Sequence, residues 1–196
     1  MKLVLASSSP RRAEVLRDAG IAFEVCAPHV DEARHSNETV EKMVARLAEA
    51  KARAAAQSAG ERNRAIIIGA DTAVELDGEV FGKPRDAAHA REMLAALNGR
   101  THYVLTGVCV LRLPDGATRF AVEKTAVTFT ALDQREIEDY VSSGEPFDKA
   151  GAYAIQGRAG RFIPRIEGCY FNVVGLPLAR LHALLSELDW RDDKKA

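Results

Sequence analysis

The sequence has 196 residues, of which 47% are hydrophobic and 28% charged, with a formal net charge of −1. This balance predicts one globular domain over residues 1–190 with a polar tail at 191–196. It argues against stable nucleic-acid binding, which needs a strongly basic face. No apolar run approaches the ~18 residues that span a membrane, and no signal peptide is evident. Three widely spaced cysteines without metal or redox spacing favour a cytoplasmic protein.

The first element is a short apolar strand, Leu3–Ala6, which runs directly into Ser-Ser-Ser-Pro-Arg-Arg. Proline suits the first helical position and the preceding serine suits the N-cap, so a helix is expected over residues 10–18. Hydroxyl groups, guanidinium groups and the N-terminus of a helix together form an anion site, most often for phosphate. Its residues would be Ser7, Ser9, Arg11 and Arg12. The alternative is a capped helix start with two solvated arginines.

Helix and strand signals then alternate, which predicts an α/β or α+β fold. A short strand is expected over residues 23–27, an amphipathic helix over 40–57 and a buried central strand over 65–69. The dipeptide Asp77-Gly78 between two short apolar runs indicates a hairpin.

Asp71 follows the apolar run and the small residues Gly69 and Ala70, which let a ligand or another backbone come close. A carboxylate there could hold a divalent metal or accept a proton from water. The alternative is an Asx-turn cap that opens the hairpin. Glu32 and Lys51 are weaker candidates, because charged residues in such places usually belong to solvated faces.

Lys83 lies between Gly82 and Pro84, which constrain the loop and hold the ammonium for a phosphate oxygen. The alternative is a solvated loop lysine. The sequence contains no Walker A loop.

Further along the chain, a helix capped by Asp86 is expected up to residue 97, and a long β-hairpin over residues 103–113 and 120–130. A capping box formed by Asp133 and Glu136 begins another helix, and a final helix is expected over residues 176–188.

Residues 145–172 are rich in glycine and charge and have weak periodicity, so we expect an irregular functional segment. Lys149 and Gln156 are its candidate binding residues. An amide both donates and accepts hydrogen bonds, so Gln156 could read the edge of a base. The alternative is a polar loop with internal hydrogen bonds.

The order of these pieces resembles the Maf family of nucleoside triphosphate pyrophosphatases over about residues 2–188. The stretches that carry the resemblance are Ala6-Ser-Ser-Ser-Pro-Arg-Arg12, Ile68-Gly-Ala-Asp-Thr72, Gly82-Lys-Pro84, Thr106-Gly-Val108, Glu145-Pro-Phe-Asp-Lys-Ala-Gly-Ala-Tyr153, Ile155-Gln-Gly157 and Asn172-Val-Val-Gly-Leu-Pro177. The resemblance implies a mixed α/β fold like that of the inosine triphosphatases, with an elongated curved mixed sheet flanked by helices.

The resemblance further implies hydrolysis of a nucleoside triphosphate to the monophosphate and pyrophosphate, a house-cleaning reaction that uses a divalent cation, Mg²⁺ or Mn²⁺. It makes Asp71 the proton acceptor and assigns a catalytic role to Lys83, while Asp71 and Glu32 are the candidate metal ligands. The trio Arg12, Thr72 and Gln156 is similar to that of the dTTP/UTP branch. The remaining candidate substrate-binding residues are Ser7, Ser9, Arg11, Lys51 and Lys149.

Two alternatives stay open at this point. One is the same reaction on other or modified nucleotides such as 7-methyl-GTP. The other is a nucleotide-binding regulator of cell division with little turnover. The oligomeric state is also open, with a homodimer among the alternatives.

Overall fold

The computed structural model describes residues 1–59 and 64–191, so the predicted tail lies outside the described residues except for Arg191. The strands form one mixed sheet of seven strands in the order β2-β1-β3-β5-β6-β7, with β4 paired to β3. Their bounds are β1 Lys2–Ala6, β2 Glu24–Val25, β3 Ala65–Leu76, β4 Glu79–Phe81, β5 Thr101–Arg112, β6 Thr118–Thr128 and β7 Arg165–Glu167.

Six α-helices are present among the described residues. They are α1 Pro10–Asp18, α2 Val40–Ala59, α3 Ala87–Leu97, α4 Gln134–Ser142, α5 Tyr170–Val174 and α6 Leu178–Ser186. Parallel pairing of β1 with β2 and β3, and antiparallel pairing of β3 with β4 and of β6 with β7, confirm the predicted mixed α/β class. No helix in the described part of the chain is long and apolar enough to cross a membrane.

Local signals in the sequence placed several elements correctly. Asp77 and Gly78 both have positive φ, 53° and 83°, as the tight turn between β3 and β4 requires. Asp86 caps α3 by accepting a hydrogen bond from the His89 amide. Asp133 and Glu136 form the predicted capping box at the start of α4.

The prediction that a strand ends before Asp71 is wrong. β3 continues without a break from Ala65 to Leu76, so Asp71 lies inside a strand and does not cap a turn. The physical reason is a change of pairing partner. β1 pairs with β3 only as far as Gly69, and β4 pairs with it from Val74 onward. Asp71 therefore lies just beyond the end of β1, although its own strand goes on.

The expected irregular segment at 145–172 is also more regular than predicted. It contains three short 3-10 helices, Glu145–Asp148, Ala150–Ala152 and Arg158–Phe162, followed by β7 and the start of α5. Turns of this length carry no periodicity that a sequence pattern could reveal.

The chain forms two compact units. The first contains Met1–Asp71, Thr106–Glu123 and the described residues from Gly175 onward, and the second contains Thr72–Leu105 and Lys124–Val174. In the first unit an apolar cluster joins the alanines on one face of α2 to residues of β1, β3 and β5. In the second, a larger cluster joins α3 and α4 to parts of β3, β5 and β6.

Candidate functional site

The junction between β1 and α1 is organised by the Ser7 hydroxyl. Ser7 Oγ accepts hydrogen bonds from the Ser9 amide at 3.2 Å and from Arg12 Nη1 at 3.0 Å. Ser9 occupies the N-cap position with extended backbone, but its side chain makes no capping hydrogen bond. The prediction of a side-chain cap is therefore wrong, because the Ser7 hydroxyl already fixes the backbone before the helix.

Arg12 is buried, with 8% of its surface exposed. Its Nη1 also donates to the Ala70 carbonyl at 2.9 Å, and its Nε donates to the Gly175 carbonyl at 2.8 Å. Burial lowers the pKa of Arg12, and the neighbouring Asp71 carboxylate opposes that shift. The solvated alternative is thus wrong for Arg12, which ties the α1 junction to the backbone of β3 next to Asp71. Arg11 is half-buried and close enough to Arg12 to lower its pKa further.

Asp71 forms an ion pair that the sequence did not predict. Lys51 Nζ lies 2.6 Å from Asp71 Oδ1 and 2.6 Å from Glu32 Oε1. Asp71 is 9% exposed, and the Lys51 side chain is 12% exposed, whereas the Glu32 side chain is 61% exposed. The solvated-face alternative is therefore wrong for Lys51, whose ammonium joins a buried carboxylate to an accessible one.

The position of Lys51 follows from the close approach of α2 to the sheet. Gly69 on β3 and Gly107 on β5 both face the α2 backbone, and a Cβ atom at Gly107 would lie 2.3 Å from the Val44 carbonyl oxygen. Ala48, Ala52 and Ala55 are fully buried along α2. This alanine face, together with a glycine in each strand, was the sequence signal that could have placed Lys51 over Asp71.

Burial raises the pKa of Asp71 because a charged carboxylate is disfavoured away from water. The Lys51 ammonium and the Arg12 guanidinium act in the opposite direction. A carboxylate whose pKa lies above its ordinary value is a stronger base while it remains ionised. Asp71 can therefore accept a proton from a water molecule that reaches it.

The same two carboxylates were the predicted metal ligands, and their chemistry fits a divalent cation. Mg²⁺ is commonly held by one or two carboxylates together with substrate phosphates and water, and the Lys51 ammonium shows that a cation is accommodated between Asp71 and Glu32. No group of three or more His, Cys, Asp or Glu residues arranged for a metal occurs among residues 1–59 and 64–191.

In the second unit, Lys83 is exposed and is followed by the buried Pro84. The Gly82 carbonyl accepts a hydrogen bond from the Gly151 amide at 3.1 Å, which ties the Lys83 loop to the segment that follows Lys149. Lys149 Nζ donates to the Glu145 carbonyl at 2.7 Å and also bonds the Asp148 carboxylate. The Lys149 ammonium is thus held by its own turn.

Gln156 lies at the centre of an exposed turn, residues 155–157, directly after the buried residues 151–154. Thr72 is half-buried in β3 and belongs to the same unit. Asp71, Lys51, Glu32, Ser7 and Arg12 all belong to the first unit. The roles predicted for Arg12, Thr72 and Gln156 in selecting the base remain predictions.

The chain matches the sequence model of a known family, and two similar proteins share one name. The sequence model of the family described as "Maf-like protein" matches residues 2–188. A dTTP/UTP pyrophosphatase of Geobacillus sp. (strain WCH70) is 48% identical over 189 residues, which are 96% of this chain and 99% of that protein. A dTTP/UTP pyrophosphatase of Anaeromyxobacter sp. (strain Fw109-5) is 53% identical over 187 residues, 94% and 88% of the two chains.

Among solved structures, the Staphylococcus aureus Ham1 protein superposes with a TM-score of 0.54 at 17% sequence identity. The match covers 96% of this chain and 100% of that one. At this identity the likeness concerns the fold alone, and it confirms the predicted fold class.

Proposed function

We propose that this chain, which belongs to the family of Maf-like proteins, is a nucleoside triphosphate pyrophosphatase acting on dTTP and UTP. The reaction adds water to the α-phosphorus and releases the nucleoside monophosphate and pyrophosphate. The relatives named above carry this activity in their names and match nearly the whole chain. Since the family match runs through both compact units, we also propose that residues 1–190 act as one functional domain.

The observation that carries the proposal is the ammonium of Lys51 placed 2.6 Å from both Asp71 and Glu32. Phosphoryl transfer requires charge neutralisation and positioning more than covalent chemistry. A buried carboxylate with an adjacent ammonium offers a base and a positive charge side by side. Such a pair suits attack by water on a phosphate anhydride.

In this mechanism Asp71 orients the attacking water and accepts its proton as the new P–O bond forms. The bond between the α-phosphorus and the bridging oxygen breaks, and pyrophosphate leaves with the electron pair. Lys51 favours the ionised form of Asp71, and Arg11 and Lys83 supply positive charge to the phosphates. Arg12 holds the backbone of Ala70 and thereby fixes the neighbouring Asp71.

Asp71 and Glu32 are the residues that would hold a divalent cation, Mg²⁺ or Mn²⁺. When bound, the cation supplies charge neutralisation on the triphosphate.

Recognition of the base is assigned to Gln156, with Thr72 and Arg12 as the other members of the predicted trio. The Gln156 amide can donate to the O4 carbonyl and accept from the N3–H of uracil or thymine. Its exposed position on a turn supports this role.

Pyrophosphate release from a panel of nucleoside triphosphates, with Mg²⁺ or Mn²⁺, tests the proposal. We expect the highest kcat/KM for dTTP and UTP, and a loss of about 10²–10⁴-fold in Asp71→Asn. Asp18→Asn, which changes an exposed aspartate on α1, is the matched control and should retain parent activity. Preference for 7-methyl-GTP or other nucleotides would replace the assigned substrates, and tight nucleotide binding without turnover would favour a regulator.

A further inference from the structure

The turn that carries Gln156 is fastened on both sides by two side chains. The Tyr140 hydroxyl on α4 accepts a hydrogen bond from the Ala154 amide at 3.2 Å and donates a hydrogen bond to Glu145 Oε1 at 2.8 Å. The second carboxylate oxygen of Glu145, Oε2, accepts from the Arg158 amide at 3.0 Å. The backbone is thus held two residues before and two residues after Gln156.

Tyr140 and Glu145 are both closely packed. Tyr140 is fully buried, and its ring packs edge-to-face against Phe162 with centroids 5.5 Å apart. Glu145 lies close against Gly157, where an added Cβ atom would meet the carboxylate at 2.6–2.7 Å. A side chain at 157 would therefore push the carboxylate away from its two hydrogen-bond partners. Gln156 itself is exposed, whereas Tyr140 is buried and hydrogen-bonded to Glu145.

We propose that Tyr140 and Glu145 are positioning residues that fix the direction of the Gln156 amide and thereby set the selectivity for uracil and thymine over cytosine. This inference rests on the proposed function, because it takes Gln156 as the residue that reads the base. Neither positioning residue touches the substrate. Their contribution is to keep the turn in one conformation, so that the amide is already aimed when a base arrives.

Preorganisation of this kind affects discrimination more than chemistry. Uracil and cytosine differ on the edge that an amide reads, where a carbonyl and an N–H are replaced by an amino group and a bare nitrogen. A fixed glutamine amide matches only the first pattern, whereas an amide free to rotate or shift can satisfy either. Loosening the turn should therefore lower kcat/KM for UTP more than for CTP.

The experiment compares Tyr140→Phe and Glu145→Gln with the parent and with Tyr153→Phe. The control removes another buried tyrosine hydroxyl in the same unit, which bonds His102, whereas Glu145 and Ala154 bond Tyr140. We expect the ratio of kcat/KM for UTP over CTP to fall by about tenfold or more in the first two variants, with kcat/KM for CTP within about twofold of the parent. Tyr153→Phe should keep the parent ratio.

Two further measurements separate positioning from general destabilisation. Amide hydrogen exchange at Ala154 and Arg158 should accelerate in Tyr140→Phe and stay slow in Tyr153→Phe. Gly157→Ala keeps Tyr140 and Glu145 in the sequence but displaces the Glu145 carboxylate. The backbone at Gly157 is extended (φ 175°) and can adopt the same conformation with alanine. The variant should reproduce the loss of selectivity, because the displaced carboxylate loses its two hydrogen-bond partners.

The outcomes distinguish this inference from the proposed function. A parent enzyme without preference for dTTP and UTP overturns the proposed function and the selectivity role with it. A parent that has the preference, together with folded variants that keep the UTP/CTP ratio or lose activity equally on both substrates, overturns the positioning role alone. Unchanged hydrogen exchange in Tyr140→Phe would also overturn it.

Discussion

A Cβ atom on Gly69 would lie 2.1 Å from the carbonyl oxygen of Ala48, closer than any side chain permits. The same atom would lie 2.8 Å from the Ala52 amide nitrogen. Backbone of β3 and backbone of α2 are therefore in direct contact at this point. Lys51 lies between these two alanines in the sequence. The absence of a side chain at Gly69 therefore permits the close approach that places the Lys51 ammonium 2.6 Å from Asp71.

Gly69→Ala should consequently reduce both stability and activity. Forcing α2 away from the sheet costs about 2–3 kcal/mol in the free energy of unfolding, and it separates Lys51 from Asp71. Urea denaturation and pyrophosphate release measure the two effects. Gly82→Ala is the control for stability, because no atom lies within 4 Å of the added methyl group. An unfolding free energy equal to the parent's in Gly69→Ala would contradict the close contact.

Lys51→Met should shift the pH dependence of turnover as well as lower its rate. The Lys51 ammonium holds the pKa of Asp71 down against the effect of burial. Without it, the pKa of Asp71 rises further, so the carboxylate is protonated at a higher pH and the acid limb of the rate profile moves toward neutrality. We expect a loss of about 10²-fold at pH 7, measured as kcat across pH 5–9.

The control for this variant is Lys42→Met, which removes an exposed ammonium from the same helix. Its rate profile should follow that of the parent. An acid limb in Lys51→Met that stays at the parent's position would show that the ammonium does not govern the ionisation of Asp71.

Glu38 and Arg46 should control the position of Glu32. Arg46 on α2 holds Glu38 with two hydrogen bonds of 2.7 and 2.8 Å, and it also donates to the carbonyl of Ala33, the residue next to Glu32. Hydrogen bonding to Arg46 lowers the pKa of Glu38 to about 2. The pair therefore stays ionised throughout the pH range in which the enzyme is assayed. Arg46 then holds the loop of residues 32–38 against α2 over that range.

Glu38→Gln keeps the size of the side chain but removes the charge that Arg46 holds. We expect the loop to loosen and kcat/KM for UTP to fall by about tenfold, since a misplaced binding group costs up to about 10²-fold. Glu24→Gln, which breaks an exposed pair with Lys2 on the same unit, is the matched control. Equal activity in the two variants would remove Glu38 from the support of Glu32.

The sequence was most informative where structure is set by neighbouring residues. The turn at Asp77-Gly78, the cap at Asp86 and the capping box at Asp133 all depend on backbone conformation and hydrogen bonds within a few positions, and all are confirmed. The sequence identifies Asp71 as a candidate but predicts a strand over residues 65–69 only, whereas β3 runs to Leu76. Its small neighbours mark a close backbone contact, and a sequence pattern does not say whether a ligand or a helix makes it.

Pairs that form over long distances in the chain were beyond local signals. The sequence makes Lys51 only a weaker candidate, because nothing near it in the sequence indicates Asp71, twenty positions away. The sequence does not predict the link from Tyr140 through Glu145 to Arg158 either, because Glu145 reaches Arg158 across the intervening turns. The Lys51 pair depends on how α2 packs against the sheet, which the glycines in β3 and β5 permit.

His102 on β5 is a buried histidine that the proposed mechanism does not use. It is fully buried between the rings of Phe129 and Tyr153, and its Nε2 lies 2.7 Å from the Tyr153 hydroxyl. Its Nδ1 has no hydrogen-bond partner within the described chain. A proton on both nitrogens would leave one N–H unsatisfied in an apolar setting, and burial accordingly lowers the pKa of His102 to about 4.

Stability should therefore fall with acidity through this residue. The unfolded chain binds a proton at His102 below its ordinary pKa of 6.5, whereas the folded chain does so only near 4, so folding is penalised increasingly as the pH drops from 6.5 toward 4. Between pH 7 and 5 this amounts to about 2 kcal/mol, measured by urea denaturation. His102→Phe should remove that part of the pH dependence, and His182→Phe, at an exposed histidine, should keep it. Equal slopes in the parent and His102→Phe would mean that His102 does not cause the acid sensitivity.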